Sequence, residues 1–156
     1  MATGNMKWFN QALLDLGLKK HNLATDDLRM AIVTSAVVPS QTTAVPHVGG
    51  TGTTNFATTQ VAVAGTVYTA PIILTGESWT LVGGVPTLRA DVITLAIDAA
   101  GFTNGAWGIV YNNTDANKSA IGYVELSAGG SLSLVNGQVV IDWNGSTNDL
   151  LTLTGA

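Results

Sequence analysis

The spacing of hydrophobic residues changes near residue 25. Before that point, apolar residues recur at helical spacing and form a single stripe. The members of this stripe are Trp8, Phe9, Ala12, Leu13 and Leu16. The pattern predicts a short helix over residues 5–16, with Asn5 capping its start and Gly17 in the left-handed position after its end. A helix this short is marginal alone, so its stripe must dock either on the chain's own sheet or on a neighbouring subunit.

After residue 25 the hydrophobic period is close to two, which is typical of strands. A first strand is predicted over residues 28–35. Further strands are predicted near 59–63, 66–74, 77–82, 86–97, 106–112, 121–126, 131–135, 138–143 and 150–154. The dipeptide Asn136-Gly137 lies between two alternating segments and predicts a two-residue hairpin turn, since both residues tolerate positive φ.

Many short strands with no helices between them favour an antiparallel β-sandwich or a jelly-roll-like barrel, here with one short N-terminal helix. Residues 1–24 are predicted to form a helical arm, and residues 25–156 a single β domain. A Thr- and Gly-rich segment over about 38–57 has no periodicity and is predicted to be a long loop. Loops of that length are usually functional or flexible.

The composition excludes several classes of function. Charged residues make up 10% of the chain, against about 25% in ordinary globular domains. The net charge is −4 with only six Lys and Arg residues, which argues against nucleic-acid binding. The chain has no cysteine, so disulfides and thiolate metal sites are excluded. No apolar run is long enough to span a membrane, and no signal peptide is evident.

Few residues suggest catalysis. The two histidines, His21 and His47, fall in predicted loops without a partner at metal-ligand or triad spacing, and each is interpreted as a surface residue. A Ser-His-Asp site stays open because triads assemble in space. The ten acidic residues are scattered, so paired carboxylates for hydrolysis are not evident. We therefore expect no enzyme activity, no catalytic residues, no metal and no cofactor.

Two further patterns have alternative interpretations. Asp115, Asn117 and Ser119 place oxygen side chains at alternate positions, as calcium loops do. The segment lacks the Gly and the distal bidentate Glu of such loops, so a polar hairpin turn is the preferred interpretation. Of the four tryptophans, Trp79, Trp107 and Trp143 lie within strand patterns and are predicted to fill the core, with a protein interface or a sugar-stacking strip as alternatives. The fourth, Trp8, belongs to the predicted helical stripe.

Several segments in this order resemble a family of small virion proteins of tailed bacteriophages. They include Thr25-Asp-Asp-Leu-Arg-Met-Ala-Ile-Val-Thr-Ser and Leu74-Thr-Gly-Glu-Ser-Trp. The later ones are Tyr111-Asn-Asn-Thr-Asp, Ile121-Gly-Tyr-Val-Glu-Leu and a final Asn136-Gly-Gln-Val-Val-Ile-Asp-Trp. The chain departs from the family pattern at Asn136-Gly-Gln, where an acidic residue is common. It also departs in the uncharged loop over residues 41–56.

The resemblance implies a capsid decoration (cement) protein, made in the bacterial host cytoplasm and bound to the outer surface of the phage head. Its partners would be the major capsid protein and further copies of itself, as a homotrimer. A tail or fibre component, or a carbohydrate- or receptor-binding β module, is the alternative. The residues expected to form the protein interface are Trp8, Phe9, Leu13, Leu16, Val45 and His47.

Overall fold

The computed structural model describes residues 6–130, 132–144 and 147–154 and confirms a mainly β chain with antiparallel sheets and one α-helix. The helix is α1 (Asn10–Gly17), and one 3-10 helix covers Phe56–Thr59. The strands are β1 (Lys7–Trp8), β2 (Leu28–Val33), β3 (Pro46–His47), β4 (Thr54–Asn55), β5 (Ile72–Ile73), β6 (Ser78–Val82), β7 (Val85–Arg89), β8 (Ile93–Leu95), β9 (Trp107–Asn112), β10 (Ala120–Glu125), β11 (Val139–Ile141) and β12 (Asp149–Thr152).

The main sheet has five antiparallel strands in the order β1-β10-β9-β2-β5. Strands β2 and β9 pair over six residues, from Leu28 opposite Asn112 to Val33 opposite Trp107. Nearly every residue of β2, β9 and β10 is buried, so these strands are covered on both faces. This explains why their sequences are almost continuously apolar instead of strictly alternating.

A second sheet of three strands, in the order β12-β7-β6, packs against the first. The rings of Trp8 and Trp79 meet edge to face across the two sheets, with centroids 6.3 Å apart. At Gly122 an added Cβ would lie 3.1 Å from Leu151 Cδ1, so the absent side chain lets the sheets approach closely. Strands β11 and β8 form a smaller pair. The sheets keep open edges among the described residues, which makes the fold a sandwich and not a closed barrel.

The N-terminal segment differs from the prediction for residues 5–16. The helix begins at Asn10, and Trp8 lies in β1, paired with Gly122 of β10. Gly17 is the last helical residue, and the residue with positive φ is Lys19, at 59°. Because β1 extends the main sheet and Phe9 is fully buried, this segment shares one core with the strands that follow.

Several predicted strands are shorter or absent. Residues 59–63 hold the end of the 3-10 helix and one isolated bridge, and 66–74 contribute only β5. The described residues of 131–135 form a single bridge through Leu132, and β11 pairs with β8. The prediction of a two-residue hairpin turn at Asn136-Gly137 was wrong, since neither residue has a positive φ. A two-residue hairpin turn with positive φ at both positions is instead formed by Gly83-Gly84, between β6 and β7.

The long loop over residues 38–57 is packed against the rest of the chain. Pro46, His47 and Val48 are buried, and β3 pairs with β4 in parallel. The Val48 N–H donates to the Lys118 carbonyl at 3.1 Å. A Cβ at Gly50 would lie 2.0 Å from the Asn117 carbonyl oxygen, so this close approach requires glycine. The loop is thus held on the turn between β9 and β10.

Candidate functional site

A polar cluster lies against the inner face of α1. Its buried members are Asp15, His21, Asn112 and Ser119, and its half-buried members are Asp26 and Asp115. Asp15 is 2% exposed, and its Oδ1 accepts hydrogen bonds from Gln11 Nε2 at 3.0 Å and from Lys20 Nζ at 2.9 Å. His21, the residue after Lys20, is also buried. So is Asn112, at the end of β9. The cluster therefore joins α1, the segment leading to β2 and the end of β9 through polar contacts.

Asn112 fixes the state of His21. Asn112 Oδ1 accepts the N–H groups of Thr114 and Asp115, at 2.9 and 3.2 Å, so its amide orientation is set. Asn112 Nδ2 then donates to Asp26 Oδ2 at 2.6 Å and faces His21 Nδ1 at 3.1 Å. Nδ1 must accept, which leaves the proton of the neutral ring on Nε2.

Burial lowers the pKa of His21 below its ordinary value, and this outweighs the attraction of Asp15, Asp115 and Asp26, while Lys20 lowers it further. The Nε2 atom has no hydrogen-bond partner and lies 3.9 Å from Asp15 Oδ2. The interpretation of His21 and His47 as surface residues was wrong, since both are buried. The polar neighbours of His21, such as Asn112, lie far away in sequence, so the local loop pattern did not reveal its burial.

The Asp115–Ser119 segment is a polar turn between β9 and β10. Asp115 Oδ2 accepts the Ser119 hydroxyl at 2.5 Å and the Ser119 N–H at 3.2 Å, while Oδ1 accepts the Asn117 N–H. Burial alone would raise the pKa of Asp115, but these hydrogen bonds hold it below its usual range. The carboxylate oxygens are thus directed at the turn's own donors, as the hairpin-turn interpretation expects.

The chemistry of the cluster is that of a structural network. The Ser119 hydroxyl donates to a carboxylate, while His21 Nδ1 faces an amide, so the two groups do not form a nucleophile–base pair. Within the described ranges, no group of three or more His, Asp or Glu side chains is arranged to hold a metal ion. The described helices include none with the length and apolar content needed to cross a bilayer.

The six residues expected at a protein interface differ in their exposure to solvent. Phe9 and His47 are buried, and Trp8 is 8% exposed with its Nε1 donating to the Thr152 carbonyl at 2.8 Å. Leu16 is half-buried against the core. Leu13 and Val45 remain exposed. The surface available to a partner therefore includes Leu13 and Val45 but little of the other four.

The outer side of α1 exposes leucines, although it faces away from the core. Leu14 in the helix and Leu18 directly after it are each 57% exposed, and Leu13 is 36% exposed. The inner face instead contains buried Asp15 together with Phe9 and Ala12. We call Leu13, Leu14 and Leu18 the leucine face. Sequence reasoning missed Leu14 and Leu18 because it assigned a single stripe, whereas their i, i+4 spacing marks a second one.

All four tryptophans contribute to the core, as predicted for Trp79, Trp107 and Trp143. Trp8 and Trp143 are buried, and Trp143 Nε1 donates to the Asp91 carbonyl at 2.9 Å. Trp79 and Trp107 are half-buried and pack on the same core. No ring forms part of a flat exposed strip within the described structure.

The chain was compared with models of known protein families, with curated proteins and with solved structures. None of these comparisons gives a match. Function is therefore inferred from the geometry of this chain and from its sequence resemblance to small virion proteins.

Proposed function

We propose that this protein is a structural virion protein, a decoration (cement) protein that binds the outside of a phage head and stabilises contacts between major capsid subunits. The observation that carries the proposal is the exposed leucine face, which lies opposite an inner face that buries Asp15 as well as Phe9 and Ala12. A surface helix normally turns its apolar side inward and its charges outward. Here a carboxylate is buried and the leucine face is exposed, which is the arrangement expected where a second protein covers the helix.

The leucine face provides a plausible binding energy. Complete burial of a leucine contributes about 1.5–3 kcal/mol relative to full exposure. Because Leu14 and Leu18 are each 57% exposed, covering them contributes roughly 1 kcal/mol or more apiece. Ordering costs on binding are small because α1 is already held by the buried contacts of Phe9 and Asp15. Repetition over a shell multiplies this modest term, since each bound copy favours the assembled state.

Co-sedimentation with purified undecorated capsids tests the proposal. The double variant Leu14→Lys/Leu18→Lys should bind about 30-fold more weakly or worse, since about 2 kcal/mol is lost before lysine desolvation. The matched control is Val63→Lys/Ile97→Lys, which adds two lysines at residues that are 56% and 61% exposed. The control should bind like the wild type. Equal binding by both double variants would remove the leucine face from the mechanism.

Point variants are preferable to removing residues 1–17. That deletion takes away β1 and the buried ring of Phe9, which lies 4.9 Å from the ring of Tyr123. Loss of binding would then report unfolding as readily as a lost interface. The leucine face has no such role in the core, so its replacement leaves the fold as the background of the measurement.

A further inference from the structure

Strand β6 presents the longest open edge of the described sheets. No strand of the described residues pairs with β6 on the side opposite β7. Its five residues include no charge and no proline, and its register with β7 runs without a shift. The opposite edge of the same sheet, β12, has four residues, carries Asp149 and contains a register shift. Charges, prolines and bulges are the usual means of blocking edge pairing, and β6 lacks all three.

The hairpin register identifies the backbone groups on this edge. In a two-residue hairpin the flanking residues, Val82 and Val85, are hydrogen-bonded to each other. Antiparallel pairs alternate between bonded and non-bonded, so Thr80 also faces β7 while Trp79 and Leu81 direct their N–H and C=O groups outward. Pro86, which has no N–H, lies opposite Leu81 in a non-bonded pair, as this alternation requires.

The side chains beside this edge are also uncovered. Leu81 is 71% exposed, the largest exposure of any large apolar side chain in the described structure. It lies in one row with Pro86 and Leu153, whose N–H donates to the Pro86 carbonyl at 2.9 Å. Trp79 lies on the same face two residues earlier and packs on the core. The inner face of the three-stranded sheet thus extends beyond the core as an apolar row.

We propose that two copies of this chain pair through β6, antiparallel, about a two-fold axis at Thr80. In this register Trp79 lies opposite the partner's Leu81, and Leu81 opposite the partner's Trp79. All four outward backbone groups of each strand then find partners, because these become the bonded pairs. Each Leu81 packs beside an indole ring, a favourable cross-strand pair.

A second copy suits this edge better than a charged partner does. The strand is uncharged, while the whole chain carries −4, so pairing here brings two like-charged molecules together at a neutral strip. The central triplet Trp79-Thr80-Leu81 also reads apolar-polar-apolar in both directions, as a two-fold contact about Thr80 requires. The contact is independent of the leucine face and is two-fold, in contrast to the homotrimer that the sequence resemblance implies.

Site-directed cross-linking tests the register. The chain has no cysteine, so a single introduced thiol is unambiguous. Thr80 would face the partner's Thr80 in a non-bonded pair with Cα atoms about 4.5 Å apart, inside the disulfide range of about 4.4–6.8 Å. Oxidised Thr80→Cys should form a two-chain species, whereas Ser78→Cys should not, because the residue opposite it is Val82. No cross-link at Thr80→Cys, or equal cross-linking of both variants, would overturn the proposal.

Sedimentation velocity over a concentration series tests the association itself. The wild type should convert from one to two copies as concentration rises. Leu81→Lys should weaken this by about tenfold or more, since the pair gains two unpaired cations, while Ile97→Lys, also at an exposed apolar residue, should not. Unchanged thermal unfolding would show that Leu81→Lys folds. A wild type that stays single to its solubility limit, or that forms three copies, would contradict the two-fold pair.

Discussion

The two sheets of the sandwich both contain apolar strands, but they differ in how far those strands are buried. In the five-stranded sheet, β2, β9 and β10 are buried on both faces, and their sequences are apolar almost throughout. In the three-stranded sheet, β6 is an edge strand that leaves Thr80 and Leu81 exposed. Strands β2, β9 and β10 therefore contribute strongly to stability, while β6 and the leucine face hold apolar surface that stability does not require.

Truncation in the five-stranded sheet should have the largest effect. Ile109 in β9 is fully buried, so Ile109→Ala should reduce the free energy of unfolding by about 2–5 kcal/mol through lost burial and the cavity left behind. Leu81→Ala in β6 should change it by less than about 0.5 kcal/mol. Urea titration of both variants measures the contrast. Similar losses would show that the two sheets contribute alike.

A smaller loss of stability is expected from a substitution beside the C-terminal part of β2, which extends beyond β5. Strand β5 pairs with β2 only at Arg29 and Met30, and the Ile32 N–H donates to the Tyr68 hydroxyl at 2.9 Å instead. Tyr68→Phe keeps the ring against Phe102 but leaves a buried N–H unpaired. The free energy of unfolding should fall by about 1–3 kcal/mol. An unchanged urea midpoint would mean that Ile32 finds another acceptor.

Tyr68 should also make the free energy of unfolding depend on pH in the alkaline range. Burial raises the pKa of Tyr68 to about 12, above its ordinary value of 10.0. The unfolded chain therefore loses this proton first, so the contribution is complete below pH 10 and is lost as pH rises through about 12. The wild type should lose stability more steeply than Tyr68→Phe across this interval. Parallel curves would contradict the assignment.

The turn of the exposed hairpin should produce an effect of about 1 kcal/mol. Gly84 has a φ of 86° with open space around it, so Gly84→Ala costs only the strain of the left-handed backbone, about 1–2 kcal/mol. Gly137 is equally open but has no positive φ, and Gly137→Ala should be neutral or slightly stabilising. Thermal unfolding of the pair distinguishes them. A larger loss of thermal stability for Gly137→Ala than for Gly84→Ala would support the hairpin turn at Asn136-Gly137 that the sequence predicts.

The polar cluster should give the smallest effect, a change of slope with pH. Because burial lowers the pKa of His21, the unfolded chain binds a proton more readily than the folded one. The contribution of neutral His21 to stability is complete above the ordinary histidine pKa of about 6.5. It is lost as the pH falls below that value. Between pH 7 and about 5.5, His21→Gln should lose stability less steeply than the wild type. An identical slope would place the titration elsewhere.

The sequence predicted those features that depend on local pattern. The strand at Leu28–Val33, those around Trp107–Asn112 and Ala120–Glu125, and the mainly β antiparallel fold all followed from period and turn residues. The start of α1 was misplaced because Trp8 and Phe9 suit a strand or a helix equally, and pairing with β10 decided the matter. Local pattern cannot resolve such a tertiary choice.

The candidate surfaces were less accessible to sequence reasoning. The buried cluster joins Asp15 and His21 to Asn112, more than ninety residues along the chain, and only the folded topology brings them together. The leucine face was hidden because Leu13 was assigned to the inner stripe, while Asp15, a charged residue, takes the buried position. Burial of a charge reverses the rule on which the assignment depended.

The proposed role of the leucine face can be observed in an electron cryomicroscopy reconstruction of capsids bound by this protein. We expect α1 at the contact, with Leu14 and Leu18, which are exposed in the free chain, against a major capsid subunit and covered by it. Density that places α1 on the solvent side of the shell, with both leucines uncovered, would contradict this role.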